Sequence, residues 1–137
     1  MSRYDLWEVS CKVVLFSEDK ERVLIFRYDD GHYGLPGGHL EYGEELEKAM
    51  RREIEEELGV KFMGDLKQVG FDVAEWEDNH KVVLGYAGVF EGELGENFDN
   101  SERIIKREWV KWEDVRDGKY DLLDGYMELI LKAKERI

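Results

Sequence analysis

The chain has 137 residues, a formal charge of −13, one cysteine and one proline. That length suits a single domain over residues 1–137 with a proper core and no room for a second. The charge excludes nucleic-acid polymers, which need a basic footprint to displace counterions, and it disfavours anionic membrane surfaces.

The N-terminus, Met1-Ser2-Arg3-Tyr4-Asp5, has no basic-then-apolar leader pattern, and no apolar run reaches membrane-spanning length, so a cytoplasmic location is expected. Trp7 to Phe16 reads as a strand with Val9, Val13 and Leu15 alternating, and the lone Cys11 within it is expected in the core. Ser17 to Glu21 makes a polar turn, Arg22 to Tyr28 a second strand, and Asp29-Asp30-Gly31 another turn. Gly34-Leu35-Pro36-Gly37-Gly38 follows, where a fixed proline φ and paired glycines give a defined, side-chain-free turn. Bare backbone there lets an anion or a metal approach N–H and C=O groups closely.

A helix is expected next, with Gly43 as N-cap and Gly59 as the left-handed residue after its last turn. Lys61 to Val73 and Lys81 to Phe90 read as strands, residues 91–106 as a polar loop, and Arg107 to Trp112 as a short strand. Leu122, Leu123, Tyr126, Met127, Leu129, Ile130 and Ala133 have the spacing of a closing amphipathic helix. Strands mixed with two flanking helices give a layered α/β domain.

The run Arg51-Arg52-Glu53-Ile54-Glu55-Glu56-Glu57 would ordinarily be a solvated helix face. At 100° per residue, Leu46, Ala49, Met50, Ile54 and Leu58 fall on one arc that packs inward, and Glu53 and Glu57 fall inside it, with Glu56 at its edge. Lys48, Arg51 and Glu55 point the other way. Inward carboxylates oppose one another's ionisation, and a hard divalent cation with oxygen ligands compensates them. Glu53, Glu56 and Glu57, at i, i+3 and i+4, lie side by side and are candidate metal ligands. Glu47 fits no ligand role; with Glu44 and Glu45 it supplies favourable charge at the helix start. Residues 38 to 60 hold eight glutamates against Lys48, Arg51 and Arg52, a net of −5, so a free anionic ligand is repelled there whereas one carrying a divalent cation is not.

Gly38, five residues, Glu44, seven residues, then Arg52-Glu53-Ile54-Glu55-Glu56-Glu57-Leu58-Gly59-Val60 matches G-x5-E-x7-R-E-U-x-E-E-x-G-U, with U bulky and apolar, at nine defined positions over 23 residues. The chain therefore resembles the Nudix hydrolases. The resemblance implies the Nudix fold, a mixed β-sheet sandwiched between α-helices (α/β/α). It also implies hydrolysis of a pyrophosphate linkage in a nucleoside diphosphate joined to a group X, with Mg²⁺ or Mn²⁺ as cofactor. By the same resemblance Glu53 and Glu57 are metal ligands, Glu56 is a third ligand or a contact through water, and the carbonyl at Gly37 is a further ligand. Arg52 orients the glutamates, with Glu44 as partner. For the general base, Glu102 matches where some nucleotide-cleansing members carry an extra glutamate, with Glu91, Glu93 and Glu96 as rivals.

Leu35 to Glu44 is similar to members that hydrolyse nucleoside triphosphates to monophosphate and pyrophosphate, the MutT-like group. The proline that ADP-ribose-cleaving members carry past the box is absent, as is the coenzyme-A signature, and Trp76 stands near where dinucleoside-polyphosphate members have a tyrosine. Trp76, Tyr33, Tyr42 and Phe98 are candidates to stack a base, with packing as the plainer use of each. The intact glutamates favour attack on phosphorus over attack on carbon. Alternatives are a sugar nucleotide, a dinucleoside polyphosphate or pterin triphosphate as substrate, or a non-catalytic nucleotide-sensing module. The expected partner is a small-molecule nucleotide, bound by a monomer or homodimer.

Overall fold

The computed structural model describes residues 7–76, 79–98 and 103–137. In chain order the elements are β1 (Glu8–Phe16), β2 (Arg22–Tyr28), β3 (Tyr33–Gly34), β4 (Gly37–His39), α1 (Leu46–Leu58), β5 (Lys67–Trp76), β6 (Asn79–Val89), β7 (Ile104–Lys111), α2 (Trp112–Arg116) and α3 (Tyr126–Arg136). The strands form one mixed sheet in which β1 runs parallel to β6 along its whole length and the other pairings are antiparallel. Among the described residues no helix is long and apolar enough to cross a membrane.

Both faces are apolar over Val13–Phe16 of β1 and Val23–Phe26 of β2, because both are covered. Cys11, Val13, Leu15, Leu24 and Phe26 point to one face and bury Met50, Ile54 and Leu58 of α1. Val14, Phe16, Val23 and Ile25 point to the other and bury Tyr126, Leu129, Ile130 and Ala133 of α3. The sheet therefore lies between helices, as expected. Cys11 is a core residue whose thiol is pushed up by burial, which leaves it a poor nucleophile.

The two central strands are joined only at Phe16 and Val23. From there they splay, and the Gly34–Gly38 segment fills the gap. Val13 N–H donates to the Pro36 carbonyl (2.8 Å), β3 pairs with Phe26 and Arg27 of β2, and β4 pairs with Ser10 to Lys12 of β1. This wedge sets the glycine turn at the middle of the sheet, directly against α1.

Several boundaries differ from the expectation. The helix α1 begins at Leu46 with Glu45 as N-cap rather than after Gly43. Residues 41–44 form a turn of their own, in which Glu41 N–H donates to the Glu44 carboxylate (3.1 Å) and Gly43 has φ +80°. Gly59 does close the helix in the left-handed region, with φ +73°. The stretch from Lys61 does not extend until Lys67, because Phe62 leaves the strand pattern to plug the α1-side core. β7 begins at Ile104, three residues before the expected Arg107, since it pairs with β2 up to Tyr28. α2 was not expected. The closing helix starts at Tyr126, because Leu122 and Leu123 are zipped to Tyr33 and Gly125 takes φ +86°.

Candidate active site

Packing of Met50, Ile54 and Leu58 fixes the rotation of α1, and that rotation aims Glu53 and Glu57 at the glycine turn. Glu57 is 4% exposed, and its Oε1 accepts a 2.8 Å hydrogen bond from Gly37 N–H. Glu53 lies under Gly38 so closely that a Cβ at that position would be 2.5 Å from its carboxyl carbon. At Gly37, which has φ +141°, a Cβ would overlap the Cys11 carbonyl. The two glycines thus have separate causes. Gly37 is dictated by backbone against backbone, and Gly38 by the carboxylate.

Arg52 ties the acidic groups together. It donates from Nε and Nη2 to the two oxygens of Glu44 (2.9 and 3.0 Å), a bidentate pair. Its Nη1 is 3.1 Å from Glu53 Oε1 and 3.5 Å from each oxygen of Glu56. The hydrogen bonds from Arg52 hold the Glu44 carboxyl below the usual carboxylate range. Those to Glu44, with Glu53 and Glu56 nearby, push the guanidinium higher still. Lys48 is exposed, Arg51 pairs with Glu47 at 3.2 Å, and Glu55 turns toward Phe62 N–H. This is the outward face that the helix arc implied.

The chain's oxygen donors are of the right kind for a hard divalent ion, and the missing Cβ at Gly38 brings backbone against the Glu53 carboxylate as a cradle would. Among the described residues, however, no group of three or more His, Cys, Asp and Glu side chains is arranged to hold an ion. Glu57 is turned to Gly37 N–H, while Glu53 and Glu56 are turned to Arg52.

Glu102 lies outside the described residues. Its rivals Glu91, Glu93 and Glu96 are exposed in the loop after β6. Of the candidate stacking residues, Tyr33 packs edge-on against Tyr120 at 5.3 Å, and Phe98 lies beneath the Arg107 guanidinium at 3.8 Å, so both are committed to packing. Tyr42 is fully exposed, and the Trp76 side chain is not among those described.

Sequence reasoning missed two features. Arg107 of β7 donates from Nη1 to the carbonyls of Glu57 and Leu58 (3.2 and 2.9 Å) and from Nη2 to Gly95, capping the last turn of α1 and fastening the loop after β6 to it. Burial lowers its pKa. The second is a cleft on the α3 face beside Gly38, with Ser10, Lys12 and Lys81 on its floor. A lysine inside the apolar run Val9 to Phe16 was the available signal.

A family profile described as NUDIX domain matches residues 7–129. Solved structures share the fold. The MutT protein from Methanosarcina mazei Go1 has a TM-score of 0.77 at 20% identity, covering 98% of each chain. A MutT NUDIX hydrolase from Burkholderia pseudomallei has 0.77 at 22%, covering 93% of this chain and 98% of the other. The NUDIX domain of NrtR from Shewanella oneidensis, solved in complex with ADP ribose, has 0.78 at 22%, covering 97% and 90%.

Proposed function

This chain belongs to the NUDIX family of hydrolases, which cleave pyrophosphate linkages in nucleoside diphosphate derivatives, and from that membership we propose that its substrate is a nucleoside triphosphate. Water attacks a phosphorus, one phosphoanhydride bond breaks, and a nucleoside monophosphate and pyrophosphate leave, the water's proton passing to a carboxylate base. The observation that carries the reading is the pair Glu53 and Glu57, aimed from α1 at the Gly37–Gly38 backbone.

In this reading Glu53, Glu56 and Glu57, with the Gly37 carbonyl, hold Mg²⁺ or Mn²⁺, which when bound neutralises phosphate oxygens. Arg52 is a positioning residue. Anchored on Glu44, it holds Glu53 and Glu56 in place and offsets the charge of the acidic stretch. Gly37 N–H orients Glu57, and the bare backbone at Gly38 leaves room for the Glu53 carboxylate. Glu102 is the proposed general base. The chain acts as one domain over residues 1–137, on small nucleotides of the cytoplasm.

The test is incubation with Mg²⁺ and a panel of nucleoside triphosphates, sugar nucleotides, dinucleoside polyphosphates, pterin triphosphate and ADP-ribose, with pyrophosphate and phosphate measured. Pyrophosphate from at least one triphosphate is expected. Activity confined to ADP-ribose would sink the substrate assignment. The likeness to a NUDIX domain solved with ADP ribose raises a second reading, a module that binds nucleotides without cleaving them. Binding without any turnover would favour that one.

A further inference from the structure

The α1 side of the sheet is covered unevenly. Val9 continues the row of Cys11, Val13 and Leu15, and the parallel register of β1 with β6 sets Val9 opposite Val82 and Cys11 opposite Leu84. β5 extends the same rows, with Val73 opposite Val82 and Phe71 opposite Leu84. Met50, Ile54 and Leu58 of α1 seal the end of this face that holds Val13 and Leu15. Toward the other end Phe71 is 65% exposed, Val73 48% and Trp7 43%.

A groove of about 530 Å³ opens beside them, between the start of β1 and the turn at residues 41–44, with Trp7, Val9, His39 and Leu40 among its walls. Tyr42 stands out of that turn fully exposed. Lone exposed apolar side chains are ordinary, whereas a contiguous set marks a contact surface. Taking about 200 Å² for a whole aromatic side chain, these exposures leave roughly 500 Å² uncovered. Most acids at the lip have cations of their own: Glu8 lies 3.3 Å from His39, Glu44 2.9 Å from Arg52 and Glu45 3.8 Å from Lys48. Among the described residues Glu41 is the exception.

We propose that a second copy of this chain docks on this face about a two-fold axis, each Tyr42 entering the groove beside the partner's Trp7. A knob standing next to a groove becomes its own complement when the surface is turned by half a revolution, which is what a two-fold contact requires. The two faces together remove roughly 1,000 Å² from water, the lower limit for a specific interface, so the dimer is weak and depends on concentration. With three of the four lip acids paired, docking sets little bare charge against its twin. The repulsion that remains between copies of charge −13 acts through solvent, where it fades over about 8 Å at physiological salt. Salt therefore tightens the dimer. The turn that carries Tyr42 also carries Glu44, the anchor of Arg52, so the contact borders the acidic site of each copy.

The test needs no substrate and stands apart from the triphosphate reading. Sedimentation equilibrium is measured from about 5 µM to about 1 mM, the range of weak interfaces, for the native chain, Tyr42→Asp and Phe71→Thr. Each series is run at about 0.05 M and about 0.5 M NaCl, which moves the screening length several-fold. The native chain is expected to pass from one copy toward two across that range, at lower concentration in the higher salt. Each variant is expected to weaken the association about ten-fold or more. Both positions are exposed, and a native thermal midpoint at the lowest concentration confirms that the variants fold. Hydrogen exchange at the two ends of the range is expected to slow at residues 7–9, 40–44 and 71–73. A native chain that stays single throughout overturns the inference. So does a dimer that both variants form equally well, one protected elsewhere, or one that falls apart as salt rises.

Discussion

Adjacent glycines in the turn should fail in different ways when each receives one methyl group. At Gly38 the new Cβ stands 2.5 Å from the Glu53 carboxyl carbon and 2.7 Å from both its oxygens. Ordinary contact is about 3.4–3.5 Å between such atoms, so the carboxylate must retreat by about 1 Å. It is the far end of a rotatable side chain, the backbone at Gly38 has no positive φ, and little stability is lost. A displacement of about 1 Å at a group that organises the reaction costs on the order of 100-fold in rate. At Gly37 the obstacle is the Cys11 carbonyl of β1, which cannot step aside, and the φ of +141° is itself unfavourable for alanine. Gly38→Ala should therefore melt within about 3 °C of the native chain, roughly 1 kcal/mol for a domain of this size, while turnover falls about 100-fold. Gly37→Ala should lose several kcal/mol, roughly the cost of strained backbone plus a broken strand pairing. The assays are thermal melts followed by circular dichroism and pyrophosphate release under saturating Mg²⁺. A Gly38→Ala chain with native turnover would refute the placement of Glu53 in the chemistry.

Arg107→Met removes three carbonyl contacts and the stack on Phe98, for a loss of about 2–3 kcal/mol or a melting point lower by roughly 10 °C. Arg107→Lys restores the charge without the fork and should recover less than half of that; a melting curve that does not move refutes the capping role. The folded Glu44 carboxyl is held below its ordinary value by Arg52, so their pairing stabilises the fold above the unfolded glutamate value of about 4.3 and is lost as pH falls through the lower folded value. Denaturant titrations between pH 7 and 3 should show a steeper acid loss for the native chain than for Glu44→Gln, and parallel curves would count against the pair. Glu102→Gln should depress kcat with little change in KM, and unaltered turnover would remove Glu102 as the base.

The rotation of α1 was legible because it is local: the 3.6-residue period alone put Glu57 among Met50, Ile54 and Leu58 and put Lys48 outside. The motif pairs Glu44 with Arg52, and the structure joins them. What was illegible depended on partners distant in the chain. Gly43 is an acceptable N-cap on its own, yet the turn it occupies is organised by the Glu44 carboxylate, so the helix starts later. Phe62 reads as a strand residue until α1 offers it a socket. Leu122 and Leu123 have helical spacing, but the Asp121 carbonyl and the Leu123 N–H on either side of Leu122 bond to Tyr33 instead. The polar floor of the cleft needed the β1/β6 register, a parallel pairing across some seventy residues that no local pattern announces.

The central claim is that the inward glutamates of α1 hold the cation on which the hydrolysis depends. Its most direct test is anomalous diffraction from crystals soaked in Mn²⁺ with a non-hydrolysable nucleotide. The account predicts a manganese peak bonded to oxygens of Glu53 and Glu57, with Arg52 still gripping Glu44. Nucleotide bound with no peak on α1 would contradict it.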